Sequence, residues 1–230
     1  MIDPATLPAL PLLLSAPRFA RYLDRYQGDE KLAIRLYAWN TELSAACWGP
    51  ISVVEVVVRN GIHDALRRDR RDDWWEEPHV RLMDREQFAI SDTVKKLQRR
   101  GISSPTPGQI VAATSFGLWV GLTDEGLPRD PLLSYETALW QPRIQRAFPH
   151  LGQVRRKELH RKLDGIRTFR NRVAHHEPIY SAPVERILND MIDIAGYVHE
   201  DAAVLIDGAE RVRTTLARMR SAVGAGECCI

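Results

Sequence analysis

Apolar residues recur every three or four positions along most of this chain, the spacing that puts side chains on one face of an α-helix. Residues 30 to 47 carry one such stripe, formed by Leu32, Leu36, Trp39 and Leu43, and residues 16 to 27 form a shorter helical segment before it. The pattern therefore predicts an all-α protein.

The run VVEVVV within residues 50 to 70 fits either a buried strand or a buried helix. It continues into Ala65 and Leu66 without a turn signal, and this length favours a helix buried on much of its circumference. A further helix is predicted over residues 80 to 100, ending at Gly101. The sequence TPGQ at residues 106 to 109 is typical of a helix start, with a capping threonine, a proline at the first position and a glutamine three residues after the cap.

Two long antiparallel helices are predicted in the second half of the chain. The first covers residues 151 to 176, and its core stripe is Leu159, Leu163, Ile166, Phe169 and Val173. Pro183 opens the second helix, whose inward positions are Leu188, Met191, Ile192, Ala195 and Val198. A cluster of polar residues falls at the bend between them.

The length of 230 residues predicts one domain over residues 1 to 230, with a core of about residues 20 to 200. Residues 101 to 135 are a possible insertion, and residues 116 to 135, with GLWVGL and then a Gly- and Pro-rich loop, form its lid-like part. Asp207 and Glu210 predict a capping box for a last helix with apolar positions Val212, Leu216 and Met219. Residues 222 to 230 are expected to be a loose tail.

Composition and net charge limit the partners and the cellular compartment that the sequence predicts. The net charge of +2 indicates that any nucleic-acid surface must come from local clustering of basic residues. Three cysteines without metal-type spacing suit a reducing cytosol and no disulfide framework. The first 17 residues lack a basic start and are broken by prolines, so we expect no signal peptide. No apolar run approaches the roughly 18 residues of a membrane span.

The stretch RNRVAHHEPIY, residues 170 to 180, holds the most suggestive chemistry. Arginine offers a fixed fork of donors to phosphate oxygens, and histidine exchanges protons near neutral pH. On a straight helix Asn171 and His175 share a face, whereas Arg170 and His175 lie apart. The latter two converge only if the helix end frays or tightens, or if two copies of the stretch meet across a dimer. The alternative interpretation is a polar helix end whose charges lie in water.

The stretch resembles the signature of the HEPN superfamily, in which Arg-Asn is followed by three residues and then His. In its extended form it looks most like the Abi-like (abortive infection) branch of that superfamily. Two earlier stretches also resemble this branch: LYAWNTELSAACWGP, residues 36 to 50, and ISVVEVVVRNGIHDAL, residues 51 to 66. The second carries Glu55, Arg59 and Asn60. The resemblance covers most of residues 20 to 200 and implies a HEPN-type helical bundle with additional helices.

The resemblance implies a metal-independent endoribonuclease that needs no cofactor and leaves 2′,3′-cyclic phosphate ends. His175 would be the general base or acid, Arg170 would stabilise the phosphorane charge, and Asn171 would hold His175 or the phosphate. A second proton-transfer group must come from His176 or from the same stretch of a partner chain. The family favours the second source, a homodimer with a composite active site.

Other residues have both a functional and a structural interpretation. Glu55 and Arg59 either support the site or form an ordinary ion pair one helical turn apart. His175, His176 and Glu177 point in different directions on a helix, so no metal site is predicted. The two adjacent tryptophans, Trp74 and Trp75, either stack bases or pack in the core.

Basic residues cluster just upstream of the stretch. They are either a solvated helix face or a track for the RNA backbone, which would make binding depend on salt. The run comprises Arg155, Arg156, Lys157, His160, Arg161 and Lys162. Arg161, Lys162, Arg167 and Arg172 are the predicted RNA-binding residues.

The resemblance suggests an RNA-cleaving toxin of a phage-defence, abortive-infection or toxin–antitoxin system in the cytoplasm. The alternatives are a non-catalytic RNA-binding module and a protein-interaction module of such a system. A toxin must be restrained, so we expect an inhibitory partner that is either a structured RNA or a protein antitoxin. No membrane partner is expected.

Overall fold

A computed structural model of the protein describes residues 1 to 229, and these residues form helices and no β-strand. The predicted all-α class is thus confirmed. The α-helices of the described residues are α1 (Leu10–Leu13), α2 (Ala16–Arg25), α3 (Glu30–Arg67), α4 (Asp84–Arg99), α5 (Pro107–Ala113), α6 (Phe116–Gly121), α7 (Arg156–Ala174), α8 (Val184–Val198), α9 (Glu200–Ala209), α10 (Val212–Ala217) and α11 (Met219–Ala225). Short 3₁₀ helices lie at Pro4–Thr6, Trp74–Glu76 and Ile144–Ala147, and a π-helix lies at Glu136–Trp140.

The chain divides into two compact units, each built from stretches that are distant in sequence. The first unit comprises Met1–Ile51, Thr168–Asn189 and Ile206–Ile230. The second comprises Ser52–Arg167 and Asp190–Leu205. The RNRVAHHEPIY stretch lies entirely in the first unit.

The core of the first unit is formed by the stripes that the sequence predicts. Leu36, Trp39 and Leu43 of α3 are buried, as are Phe169 and Val173 of α7. The Trp39 indole N–H also donates to the carbonyl of Thr215, at 3.0 Å. This bond satisfies the one polar group of a fully buried side chain.

Helix α3 is longer than the sequence pattern predicts. Residues 30 to 47 and 50 to 70 were expected as separate helices, but Glu30–Arg67 is one helix of 38 residues with Pro50 inside it. An interior proline costs roughly 3 kcal/mol, because it removes one backbone hydrogen bond. Burial of Leu43, Cys47, Ile51 and Val54 around that position offsets this cost.

By length and composition, α3 is the one described helix apolar enough to cross a membrane, with a mean hydropathy of 1.3 over its most apolar window. A buried core helix passes the same test. The interior positions of α3, among them Ile34, Trp39, Val58 and Ile62, are buried.

Segment 101 to 135 supplies core side chains to the second unit. The predicted capping box is present at α5, where the Thr106 hydroxyl accepts from the Gln109 N–H. Phe116 and Trp119 of α6 are buried. The Trp119 indole N–H donates to the hydroxyl of Thr114, at 2.9 Å.

Helices α7 and α8 agree closely with the predicted pair. The stripe of α7 is buried as expected, and Leu188, Met191 and Ala195 of α8 are buried as well. The predicted inward residues Ile192 and Val198 are only half-buried. Within the second unit, Lys162 of α7 contacts Asp190 and Asp193 of α8, at 2.9 and 2.5 Å, which fits two antiparallel helices.

The C-terminal region differs from the prediction. Asp207 and Glu210 do not form a capping box, because Asp207 lies inside α9 and pairs with Arg213 at 2.7 Å. Glu210 caps α10 instead, and its carboxylate accepts from the N–H of Arg213 at 3.0 Å.

The segment from 222 to 229 is tied down rather than loose. Ala222 and Val223 are buried. The N–H of Ile2 donates to the carbonyl of Gly226 at 2.7 Å, and the N–H of Cys229 donates to the carboxylate of Glu42 at 3.1 Å. Residue 230 of the predicted tail lies outside the described residues.

A buried carboxylate fixes the packing of α6 in the second unit. Glu86 is buried and accepts hydrogen bonds from the Tyr135 hydroxyl at 3.0 Å and from Arg85 Nε at 2.6 Å. A Cβ added at Gly121 would lie 2.7 Å from Glu86 Oε1, which is too close for any side chain. A side chain at position 121 would therefore displace the Glu86 carboxylate from its hydrogen bonds.

We expect Gly121→Ala to lower the free energy of unfolding by about 1–3 kcal/mol, because it would displace the Glu86 carboxylate from its hydrogen bonds. Gly117→Ala is the matched control on the same helix, since its Cβ would meet nothing closer than 3.7 Å. That control should be neutral or stabilising by up to about 1 kcal/mol. Urea unfolding of both variants measures the difference, and equal stabilities would contradict the packing described.

Candidate functional site

Helix α7 ends in a Schellman motif formed by the RNRVAHHEPIY stretch. The N–H of Glu177 donates to the carbonyl of Arg172 at 2.9 Å, and the N–H of His176 donates to the carbonyl of Val173 at 3.1 Å. His176 has a φ of 55°, in the left-handed region where glycine is usual at this position. A histidine here costs the chain roughly 1 kcal/mol of backbone strain.

A buried side chain of α3 contributes to holding the bend that follows α7, residues 175 to 180. Asn40 of α3 is 4% exposed. Its Oδ1 accepts from the N–H of Ile179 at 2.7 Å and from the N–H of Tyr180 at 3.0 Å. Buried backbone N–H groups need hydrogen-bond acceptors, so Asn40 fixes the path of the chain just after the histidines.

Helix α2 holds the bend from the other direction. Arg18 donates to the carbonyl of His176 at 3.1 Å, and the Tyr180 hydroxyl donates to the carbonyl of Arg21 at 2.8 Å. The Tyr180 ring also packs against Tyr22, with ring centroids 5.5 Å apart. Burial, together with the neighbouring tyrosines, raises the pKa of Tyr22 well above its ordinary value, so that side chain is a neutral part of the core.

The predicted catalytic residues lie on and just beyond the last turn of α7. His175 and His176 are exposed, and Arg170 and Asn171 are half-buried. The N–H of His175 still makes the helical bond to the carbonyl of Asn171, at 2.9 Å, so these two residues are one turn apart.

Arg170 and His175 lie on different sides of the same regular helix. His175 directly follows Ala174, the last residue of α7, and keeps the helical hydrogen bond to Asn171, so five residues correspond to a rotation of about 140°.

Arg170 lies beside an aromatic ring. Its Cζ is 5.8 Å from the centroid of Trp48 on α3, within the range of a cation–π interaction. Arg172 points back to the bend, where it donates to the carbonyl of Pro178 and lies 3.8 Å from the carboxylate of Glu177. Arg172, a predicted RNA-binding residue, therefore contributes to holding the bend.

A groove of about 360 Å³ runs along the bend. It is lined by Ser15, Pro17, Arg18, Arg21, His176, Glu177 and Pro178. Two of its residues, Ser15 and His176, have positive φ values of 67° and 55°. Backbone strain of this kind clusters at functional sites, and two arginines next to an exposed histidine make the groove suited to an anion.

The remaining predicted residues lie in the second unit. Glu55 is half-buried, and Arg59 donates to the carbonyl of Ala112 at 3.1 Å. Their supporting role stays a prediction.

Of the predicted RNA track, Arg161 is exposed, while Arg167 pairs with Asp164 at 2.7 Å. Lys162 is bound by Asp190 and Asp193. Burial alone would lower the pKa of Lys162, but its hydrogen bonds to Asp193 and Asp190 raise it well above its ordinary value. The Lys162 charge is thus offset within the protein.

Sequence reasoning missed four residues that shape the site: Asn40, Trp48, Arg18 and Arg21. A signal for Asn40 existed, because it falls on the apolar stripe of Leu36 and Leu43, where an unpaired polar group would be costly. Nothing in the sequence pattern connects α2 to the bend.

Comparisons with protein-family models, with curated proteins and with solved structures found no match. Among residues 1 to 229, no three histidine, cysteine, aspartate or glutamate side chains are grouped so that they could hold a metal ion.

We expect His176→Gly to be more stable than His176→Ala by about 1 kcal/mol, because only glycine adopts the left-handed conformation without strain. Both variants remove the imidazole and keep the backbone carbonyl that Arg18 binds. Thermal unfolding of the pair measures the difference. If the alanine variant is equally stable, residue 176 does not have a positive φ.

We expect Asn40→Leu to lower the free energy of unfolding by about 2–4 kcal/mol, because it leaves the Ile179 and Tyr180 N–H groups without their acceptor. Asn40→Asp keeps an acceptor and should retain part of that stability. Urea unfolding distinguishes them. A leucine variant as stable as wild type would show that the bend does not depend on Asn40.

Proposed function

We propose that the protein is a metal-independent endoribonuclease of the HEPN type, with Arg170, Asn171 and His175 as its catalytic residues. The observation that carries the proposal is the bend after α7. It presents two exposed histidines next to arginines, at a helix end that hydrogen bonds from Asn40 and Arg18 hold in place. The helix arrangement would then be a HEPN-type bundle with additional helices.

RNA cleavage of this kind requires one proton to be removed from the 2′-hydroxyl and one to be donated to the leaving 5′-oxygen. A base removes the proton of the ribose 2′-hydroxyl, whose oxygen attacks the adjacent phosphorus. The bond from phosphorus to the 5′-oxygen breaks, and an acid protonates that oxygen. The products are a 2′,3′-cyclic phosphate and a 5′-hydroxyl end. His175 fills one of the two proton-transfer roles, since imidazole can act as either at neutral pH.

Arg170 would stabilise the negative charge that grows on the phosphorane, which arginine does well because its guanidinium stays charged and planar. Asn171, one turn before His175, would hold the imidazole or a phosphate oxygen by a hydrogen bond. Arg18 and Arg21 would bind the backbone phosphates of the RNA along the groove.

The second proton-transfer group would come from His176 or from a partner chain. Because Arg170 and His175 are about 140° apart on a regular helix, we favour a homodimer in which two copies of the stretch form a composite active site. A strained histidine at position 176, where glycine would cost less, fits a demand for that side chain.

The cellular role in this proposal is that of an RNA-cleaving toxin in a phage-defence, abortive-infection or toxin–antitoxin system in the cytoplasm. An inhibitory partner, a structured RNA or a protein antitoxin, would restrain it. A second candidate is a module that binds RNA or protein without cleaving. The arginines of the groove would serve that function too, but binding alone does not require His175.

The decisive test incubates wild type, His175→Ala and Arg170→Ala with total cellular RNA in EDTA, and maps the cut ends. We expect wild type to cleave and leave cyclic phosphate ends, and each variant to lose at least about 100-fold in rate. Arg186→Ala and His199→Ala are matched controls, because both residues are exposed and lie outside the RNRVAHHEPIY stretch and its groove.

Equal cleavage by all five proteins would show that a contaminant cuts the RNA. Intact RNA with binding retained would favour the non-catalytic module. Sedimentation of the active sample tests the composite site, because a monomer that cleaves at full rate contradicts it.

A further inference from the structure

Trp48 is the most exposed tryptophan of the chain. It is 40% exposed, whereas Trp39, Trp74, Trp119 and Trp140 are buried and Trp75 is half-buried. An exposed indole leaves a large apolar surface in contact with water, so a ring this exposed is suited to contact a ligand or a partner.

Arg170 lies over the Trp48 ring, and the helix surface beside the ring is open. Ala45 and Gly49, its neighbours on α3, are small and exposed. A Cβ added at Gly49 would meet no atom within 4 Å, so the surface next to the indole is open. The other exposed large apolar residues of the first unit are Met1, Leu7, Leu12 and Leu13, all in the N-terminal segment. The next exposed large apolar residue of α3 is Val56, eight residues further along the helix and in the second unit, so Trp48 is the one exposed large apolar residue of α3 within the first unit.

Trp48 lies beside the arginine that would bind the scissile phosphate, with Arg170 Cζ 5.8 Å from its ring centroid. In RNA a base is separated from its own phosphate by one ribose. A phosphate held by Arg170 therefore brings a neighbouring base within reach of the indole.

We propose that Trp48 is a stacking platform for a nucleobase next to the scissile phosphate, and that the substrate is single-stranded at the cut site. The inference rests on the proposed function and adds the form of the RNA to it. Stacking on an aromatic ring requires a base that is not already stacked in a duplex, and it tolerates any base because every base has a π-face. The enzyme would then select unpaired regions rather than a particular base at this position.

The test measures binding of an unstructured, fluorescently labelled 2′-O-methyl RNA oligonucleotide in EDTA. This probe lacks the 2′-hydroxyl nucleophile, so binding is measured without cleavage. We expect Trp48→Ala to weaken binding by about 5- to 150-fold and Trp48→Phe to remain close to wild type. Phe88→Ala is the control, since Phe88 is an exposed aromatic residue of the second unit.

A scan with abasic nucleotides makes the test specific for stacking. Removing one base should weaken binding by wild type and have little effect on Trp48→Ala, because the platform for that base is already absent. Additive effects of the two changes would overturn the proposal. So would an alanine variant that binds like wild type, or a phenylalanine variant that binds as weakly as alanine.

Two further results distinguish the stacking platform from a protein interface at Trp48 and from the ribonuclease proposal. If Trp48→Ala changes the sedimentation coefficient of the free protein, Trp48 belongs to a protein interface and the platform is refuted. Wild type could fail to cleave RNA and still bind more weakly when that one base is removed, with the effect depending on Trp48. In that case the stacking platform stands and the ribonuclease proposal fails.

Discussion

The two hydrogen bonds that the buried Asn40 side chain accepts determine the conformation of the candidate site. They join α3 to the chain 139 and 140 residues later, at Ile179 and Tyr180. Because a buried N–H without an acceptor is costly, this pairing gives the bend after α7 one favoured path. The Schellman motif and the contacts from α2 then set where the two histidines emerge from the helix.

This arrangement combines a rigid support with exposed reactive groups. The backbone of the bend is fixed by the buried Asn40 and by contacts with α2, while His175 and His176 are exposed. Proton transfer to and from an RNA strand requires that combination, since the groups must be accessible but held in place. The left-handed His176 fits the same explanation, because a helix end without chemical function could use glycine there at lower cost.

Local patterns predicted the fold class and several elements well. The stripes of α3 and α7 and the capping box of α5 depend on residues within one or two helical turns, so the sequence displays them. The continuity of α3 through Pro50 was not predictable, since burial outweighs a local rule there. The roles of Asn40, Arg18 and Trp48 depend on contacts between distant residues, which no local pattern contains. The sequence also drew attention to Trp74, which is buried, rather than to Trp48.

The most direct test of this account is amide hydrogen exchange at Ile179 and Tyr180, measured by NMR on the wild-type protein. The amide of the exposed Ser181 is the internal reference. If Asn40 fixes the bend, both amides should exchange far more slowly than that of Ser181, and Asn40→Leu should remove the difference. Exchange at Ile179 and Tyr180 as fast as at Ser181 in wild type would contradict the account, because the bend would then not be held at the site.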